Sequence, residues 1–168
     1  MQQYQSQKQA KLFLNKAQSV IEFLISITIF SIAFISLISL VNNYVNALKV
    51  SKERIIANFL AQEGLELVIA YRNMQTINGN QGFNSIFPDG TSTYCVDYNL
   101  NFTPNNNPCP LYIDQNGFYT HTRTSTSTIF SRLITINKQQ DYAIVTSRVE
   151  FYNQNVELST VLTSWLAQ

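Results

Sequence analysis

The chain has 168 residues, 45% apolar and only 12% charged, about half the charge usual in soluble domains. With 11 Lys and Arg against 10 Asp and Glu its net charge is +1, which excludes a nucleic-acid-binding tail, an acidic disordered chain and, with mean hydropathy near zero, a multi-span transporter. Two cysteines, Cys95 and Cys109, and one histidine, His121, are too few for a four-ligand zinc cage, so neither a metal nor a cofactor is expected.

Residues 1–17, MQQYQSQKQAKLFLNKA, carry Lys8, Lys11 and Lys16 and no acidic side chain, a short basic tail of the kind held on the cytoplasmic side of a membrane. Val20 to Val41 follows as VIEFLISITIFSIAFISLISLV, 22 residues with one charge, Glu22, and neither Pro nor Gly. As a helix rising about 1.5 Å per residue it spans a bilayer core of roughly 30 Å. Its polar members, Ser26, Thr28, Ser31, Ser36 and Ser39, can bond back to the preceding turn and permit close helix approach. Lys49, Lys52 and Arg54 beyond the span nearly balance the leader, so orientation rests on the far side: a cysteine pair in an Asn/Thr/Ser-rich region suits an oxidising exterior. A cleavable secretory signal ending near Val45-Asn46-Ala47 is the competing reading, disfavoured because signal apolar cores run only about 7–15 residues.

The stretch Lys16-Ala17-Gln18-Ser19-Val20-Ile21-Glu22-Phe23-Leu24 resembles the junction of type IV prepilins and pseudopilins. In that family a basic leader ends in a small residue, and a hydrophobic helix carries one glutamate near its start. The resemblance implies a cytoplasmic-side cut by prepilin peptidase after Ala17, Gln18 as the N-methylated first residue, and Glu22 as the assembly glutamate. It also implies an inner-membrane assembly platform and other pilin subunits as partners, with membrane lipid around the helix before assembly. The sequence departs from the pattern in having Ala17 where glycine is usual and Gln18 where an aromatic is usual. The proline found midway in many major pilins is missing, which points toward a minor pilin or pseudopilin.

From Asn42 to about Thr76 apolar residues recur mostly three or four apart: Val41, Val45, Leu48, Ile55 and Phe59, then Ile56, Leu60, Leu67, Tyr71 and Met74. With the apolar segment this predicts one helix from about Ser19 to Thr76, more than about 80 Å long. Gly64 shares the face of Leu60 and Leu67, and a mid-helix glycine, costing about 1 kcal/mol against alanine, makes sense where a sheet's backbone must come close. Phe59 to Glu66, followed by Tyr71-Arg72-Asn73, more loosely resembles the second half of the helix in many minor pilins. Glu63 and Glu66, with no histidine in reach, read as solvated carboxylates.

Past the breaker cluster Gly79-Asn80-Gln81-Gly82 the period changes to two. Strands are predicted at Ser92 to Tyr98, Leu111 to Asp114 and Phe118 to Thr122, the latter pair turning at Asn116-Gly117, then at Ser127 to Asn137, Tyr142 to Tyr152 and Val156 to Leu166. In the strand from Tyr142, the phase of Ala143, Val145, Ser147, Val149 and Phe151 is the more apolar. Such a meander laid over the Ile56-Leu60-Leu67-Tyr71 stripe is an α+β head. The ending Val161 to Trp165 resembles the last strand of minor pilin heads, with the tryptophan as an anchor.

Cys95 and Cys109 enclose an Asn/Pro-rich loop, where a disulfide is the natural reading outside the cytoplasm. Asp97-Tyr-Asn99-Leu-Asn101 has the alternating oxygens of a calcium loop but neither its glycine turn nor its closing glutamate. His121 reads as an exposed strand histidine, with no serine motif or acidic pair beside it. The expected organisation is a cleaved leader, 1–17, a long helix, 18–76, with the membrane segment at about 20–41, and an extracellular β head, 77–168. The expected role is structural and not enzymatic, a minor pilin or pseudopilin in a pilus-like or secretion-like filament, with the N-terminus cytoplasmic and no nucleic-acid partner. The rival expectation is a signal-anchored extracellular binding or hydrolytic domain that never assembles.

Overall fold

A computed structural model describes residues 2–79, 83–123 and 126–163, with side chains from Gln18 onward except at a few positions beside its gaps. The chain separates into two compact units, Met1–Val50 and Ser51–Gln168. Helix α1 covers Gln2–Gly79. It begins well before Ser19 because nothing in the leader breaks it: residues 2–17 hold no Pro and no Gly and are rich in Gln, Lys, Leu and Ala, good helix formers. As described it runs to Gly79; the rest of the predicted breaker cluster, Asn80, Gln81 and Gly82, lies outside the described residues.

In the first unit every side chain from Gln18 to Val50 is exposed. The second unit joins the rest of α1 to a short helix α2, Phe83–Ile86, and seven strands: β1 Gly90–Val96, β2 Phe102–Pro104, β3 Cys109–Ile113, β4 Tyr119–Thr120, β5 Thr126–Lys138, β6 Tyr142–Phe151 and β7 Gln154–Thr163. All belong to one antiparallel sheet. This is the α+β layout of a long N-terminal helix on an antiparallel sheet. β5 is its axis. On one side it pairs with β6, and β6 with β7, in an unbroken meander. On the other side two strands share it end to end: β1 holds Ile134 to Lys138 and β3 holds Thr126 to Arg132, which leaves Leu133 without a partner on that edge. β2, the strand that alternation did not reveal, is three residues long and pairs only with β1. Trp165 lies outside the described residues.

The phase predicted for β6 is the buried one, with Ala143, Val145, Ser147, Val149 and Phe151 all inside. On α1 the buried face is Ala57, Leu60, Ala61, Gly64, Val68 and Arg72, spaced three or four apart. The large residues of the predicted stripe, Ile56, Leu67 and Tyr71, flank this face half-buried, while Ile55 and Phe59 point to solvent. Small residues take the centre because they let the sheet close on the helix, and bulky ones wall the sides. The core is in two parts. Ala57, Leu60, Ala61, Leu111, Phe130, Val149 and Phe151 form one cluster, and Val68, Phe87, Val96, Ile134, Ile136, Ala143, Val145 and Leu162 the other.

Candidate functional site

Three places carry the residues singled out in the sequence. The first is the apolar stretch of α1, long and apolar enough to cross a membrane and with none of its most apolar window buried. Four of its hydroxyls bond within the helix: Ser26 donates to the Glu22 carbonyl (2.8 Å), Thr28 to Ile25 (2.7 Å), Ser31 to Ile27 (2.7 Å) and Ser36 to Ile32 (2.9 Å). Those polar groups are therefore already satisfied, and the outer surface of the helix is effectively hydrocarbon. Glu22 stands exposed in this surface, and no described residue forms an ion pair with it. Gln18 is exposed; the side chain of Ala17 lies outside the described residues.

The second place is a polar layer between the two core clusters. It contains Gly64 on α1, Arg132 on β5 and Ser147 on β6, each sitting between residues of one cluster and residues of the other along its own element. A Cβ on Gly64 would collide with the Ser147 hydroxyl and come within 3.1 Å of Arg132 Cδ. Arg132, fully enclosed, donates from Nη1 to the Leu60 carbonyl (3.0 Å) and from Nη2 to the Val96 carbonyl (3.0 Å), and meets Glu63 at 3.3 Å. Burial pulls the guanidinium below its usual range while Glu63, and more remotely Asp97, hold it up. Glu63 is thus no solvated carboxylate but the counter-ion of a buried cation. The same surroundings raise Tyr119, first by desolvation and then through Glu63. Glu66 takes a bond from Gln62 at 3.0 Å, as a surface residue would.

Cys95, the penultimate residue of β1, and Cys109, the first of β3, form a disulfide with Cα atoms 5.9 Å apart. It closes the seam where β1 gives way to β3 along β5. His121 reinforces that seam instead of standing exposed on a strand. It follows β4, is half-buried, and has Nδ1 at 3.0 Å from the Pro110 carbonyl and Nε2 at 3.2 Å from the Val96 carbonyl. Asp97 spends its carboxylate on the Tyr98 N–H (2.8 Å) and the Thr120 hydroxyl (2.9 Å). Among the described residues no three His, Cys, Asp or Glu side chains are grouped to hold a metal ion.

Arg132, Ala57 and Ala61 escaped the sequence reading, which puts Ser147 on the inward phase of its strand but gives it no partner. Arg132 had left a signal: it shares the inward phase of Phe130, Ile134 and Ile136, and a cation in that phase needs a carboxylate from the facing helix. No family model matches the chain, and neither does any curated protein or solved structure.

Proposed function

We propose that the protein is a minor pilin or pseudopilin, a structural subunit of a type IV pilus-like or type II secretion-like filament. In this reading it is made as a bitopic membrane protein with its head outside, cut after Ala17 by a prepilin peptidase, methylated on Gln18 and handed to an inner-membrane assembly platform. The supporting observation is the uncovered apolar surface of α1 with its single carboxylate, Glu22, near the start. Lipid covers such a surface in the monomer, where Glu22 can snorkel to the headgroups. Other copies of the helix cover it in a filament, where the carboxylate loses water and calls for a cation. The freed amine of a neighbouring Gln18 is the cation that cleavage supplies.

The test is Glu22→Gln in cells that contain the peptidase and assembly machinery. Mass spectrometry is expected to give a chain beginning at N-methylated Gln18 for both proteins, because an uncharged side chain enters lipid at least as readily. Incorporation into sheared filaments, relative to the membrane pool, should fall about thirty-fold or more, since leaving one member of a buried pair unpaired costs about 2–5 kcal/mol and each 1.4 kcal/mol is tenfold. A start at Met1, Ser19 or Leu48, or an unchanged incorporation ratio, would hand the argument to a signal-anchored domain that does not assemble.

A further inference from the structure

We propose that Tyr98 and Phe118 form a stacking platform for a neutral oligosaccharide, at a site independent of the filament reading. The two rings come from different turns, the one after β1 and the one between β3 and β4, and lie with centroids 5.6 Å apart and planes 28° from parallel. They remain 39% and 57% exposed, as a pair in contact and not as single scattered rings.

Both turns are built to hold the rings still. Asp97 accepts the Tyr98 N–H (2.8 Å) through Oδ1, and Asp114 accepts the N–H groups of Asn116 (2.9 Å) and Phe118 (2.8 Å) through its own Oδ1. These are aspartate turns, tightened by the Leu100 N–H on the Asp97 carbonyl (2.9 Å) and the Gly117 N–H on the Asp114 carbonyl (3.1 Å). Leu100 at φ 60° and Gly117 at φ 87° take the left-handed conformations the turns require. The Thr120 hydroxyl, donating to Asp97 Oδ2 at 2.9 Å, ties the first turn to the end of the second. A surface held this way loses little conformational entropy when something docks on it.

The chemistry around the rings selects the ligand. The Asp97 carboxylate accepts from the Tyr98 N–H and the Thr120 hydroxyl, Asp114 Oδ1 accepts from two backbone N–H groups, and the exposed residues of the same turns include the amides Asn99, Asn101, Gln115 and Asn116. The rings stack on one another, and the outer face that each keeps, negative in charge, takes the polarised C–H face of a pyranose, while amides donate to and accept from its hydroxyls. A nucleic acid would need cations where these turns carry two aspartates. Two rings are also far too little apolar area for a stable protein interface of roughly 1,600 Å².

The experiment is equilibrium dialysis of the full chain, held in a detergent without sugar headgroups, against labelled cellohexaose, chitohexaose and maltohexaose, with oligothymidylate as the competing stacking ligand. Binding of at least one hexasaccharide in the millimolar range or tighter is expected. It should weaken roughly tenfold in Phe118→Ser and in Tyr98→Ser, the equivalent of about 1.4 kcal/mol, and persist in Phe59→Ser, which removes an exposed ring elsewhere. Phe118→Leu keeps the apolar bulk and loses the ring, so it serves if the serine variants unfold. No binding of any of the three sugars, equal loss in Phe59→Ser, full binding by Phe118→Leu, or tighter binding of oligothymidylate would each overturn the proposal.

Discussion

At Gly64 a missing methyl group decides how the helix sits on the sheet. Alanine there would gain about 1 kcal/mol of helix propensity, but its Cβ would occupy the space of the Ser147 hydroxyl and press on Arg132. Overpacking of this kind costs about 1–3 kcal/mol, so overlap wins. Urea unfolding should show Gly64→Ala destabilised by up to roughly 2 kcal/mol. Ser147→Ala alone should be neutral or stabilising, because it removes a buried hydroxyl without a hydrogen-bond partner. In that background the cost of Gly64→Ala should shrink; an unchanged cost would mean that the clash is not with the hydroxyl. The position of Gly64 was legible, since a glycine inside an apolar period has few other uses. What it faces was not, because nothing local in the sequence of β6 relates Ser147 to a residue 83 positions away on α1. Glu63 was misread for the same reason: its surroundings are made by β5.

The β elements show where alternation carries information and where it stops. β6 and β7 are long, regular and joined by the two-residue turn Tyr152-Asn153; the predicted β6 runs one residue long, β7 starts two residues before its predicted start, and its predicted end at Leu166 lies outside the described residues. β2 has too few residues for any period to show, and the sharing of one β5 edge by β1 and β3 is a tertiary matter. The disulfide stands where that edge is weakest. A closed loop of about 15 residues is worth roughly 3 kcal/mol in the chain-entropy model, so replacing Cys95 and Cys109 by serine should lower stability by about that amount. Because that stabilisation acts through the unfolded chain, hydrogen exchange of the slowest amides should quicken throughout the sheet, the β6–β7 ladder included; a loss confined to β1, β2 and β3 would show that the bridge acts only locally.

For the molecule as a whole, the change of period near Gly79 was enough to divide helix from sheet and to yield the α+β class. Strand order, the two-part core and the polar layer between its parts were not legible, because each depends on contacts between distant segments. Those distances have a kinetic consequence. Thr146 and Ser159 in the meander are separated by 13 residues, whereas the bond from Arg132 to the Leu60 carbonyl spans 72. Closing the first loop is cheap and fast; the second waits for a chain segment translated much later. In refolding followed by pulsed hydrogen exchange, the amides of β5, β6 and β7 should be protected before those of β1, and simultaneous protection would contradict this order. Until β5 and β6 arrive, the stripe Ala57, Leu60, Ala61 and Val68 lacks most of the strands that cover it. Each newly made chain therefore passes through an interval in which a sticky helix is already complete and its sheet is not, and during that interval it is most open to aggregation and to capture by chaperones.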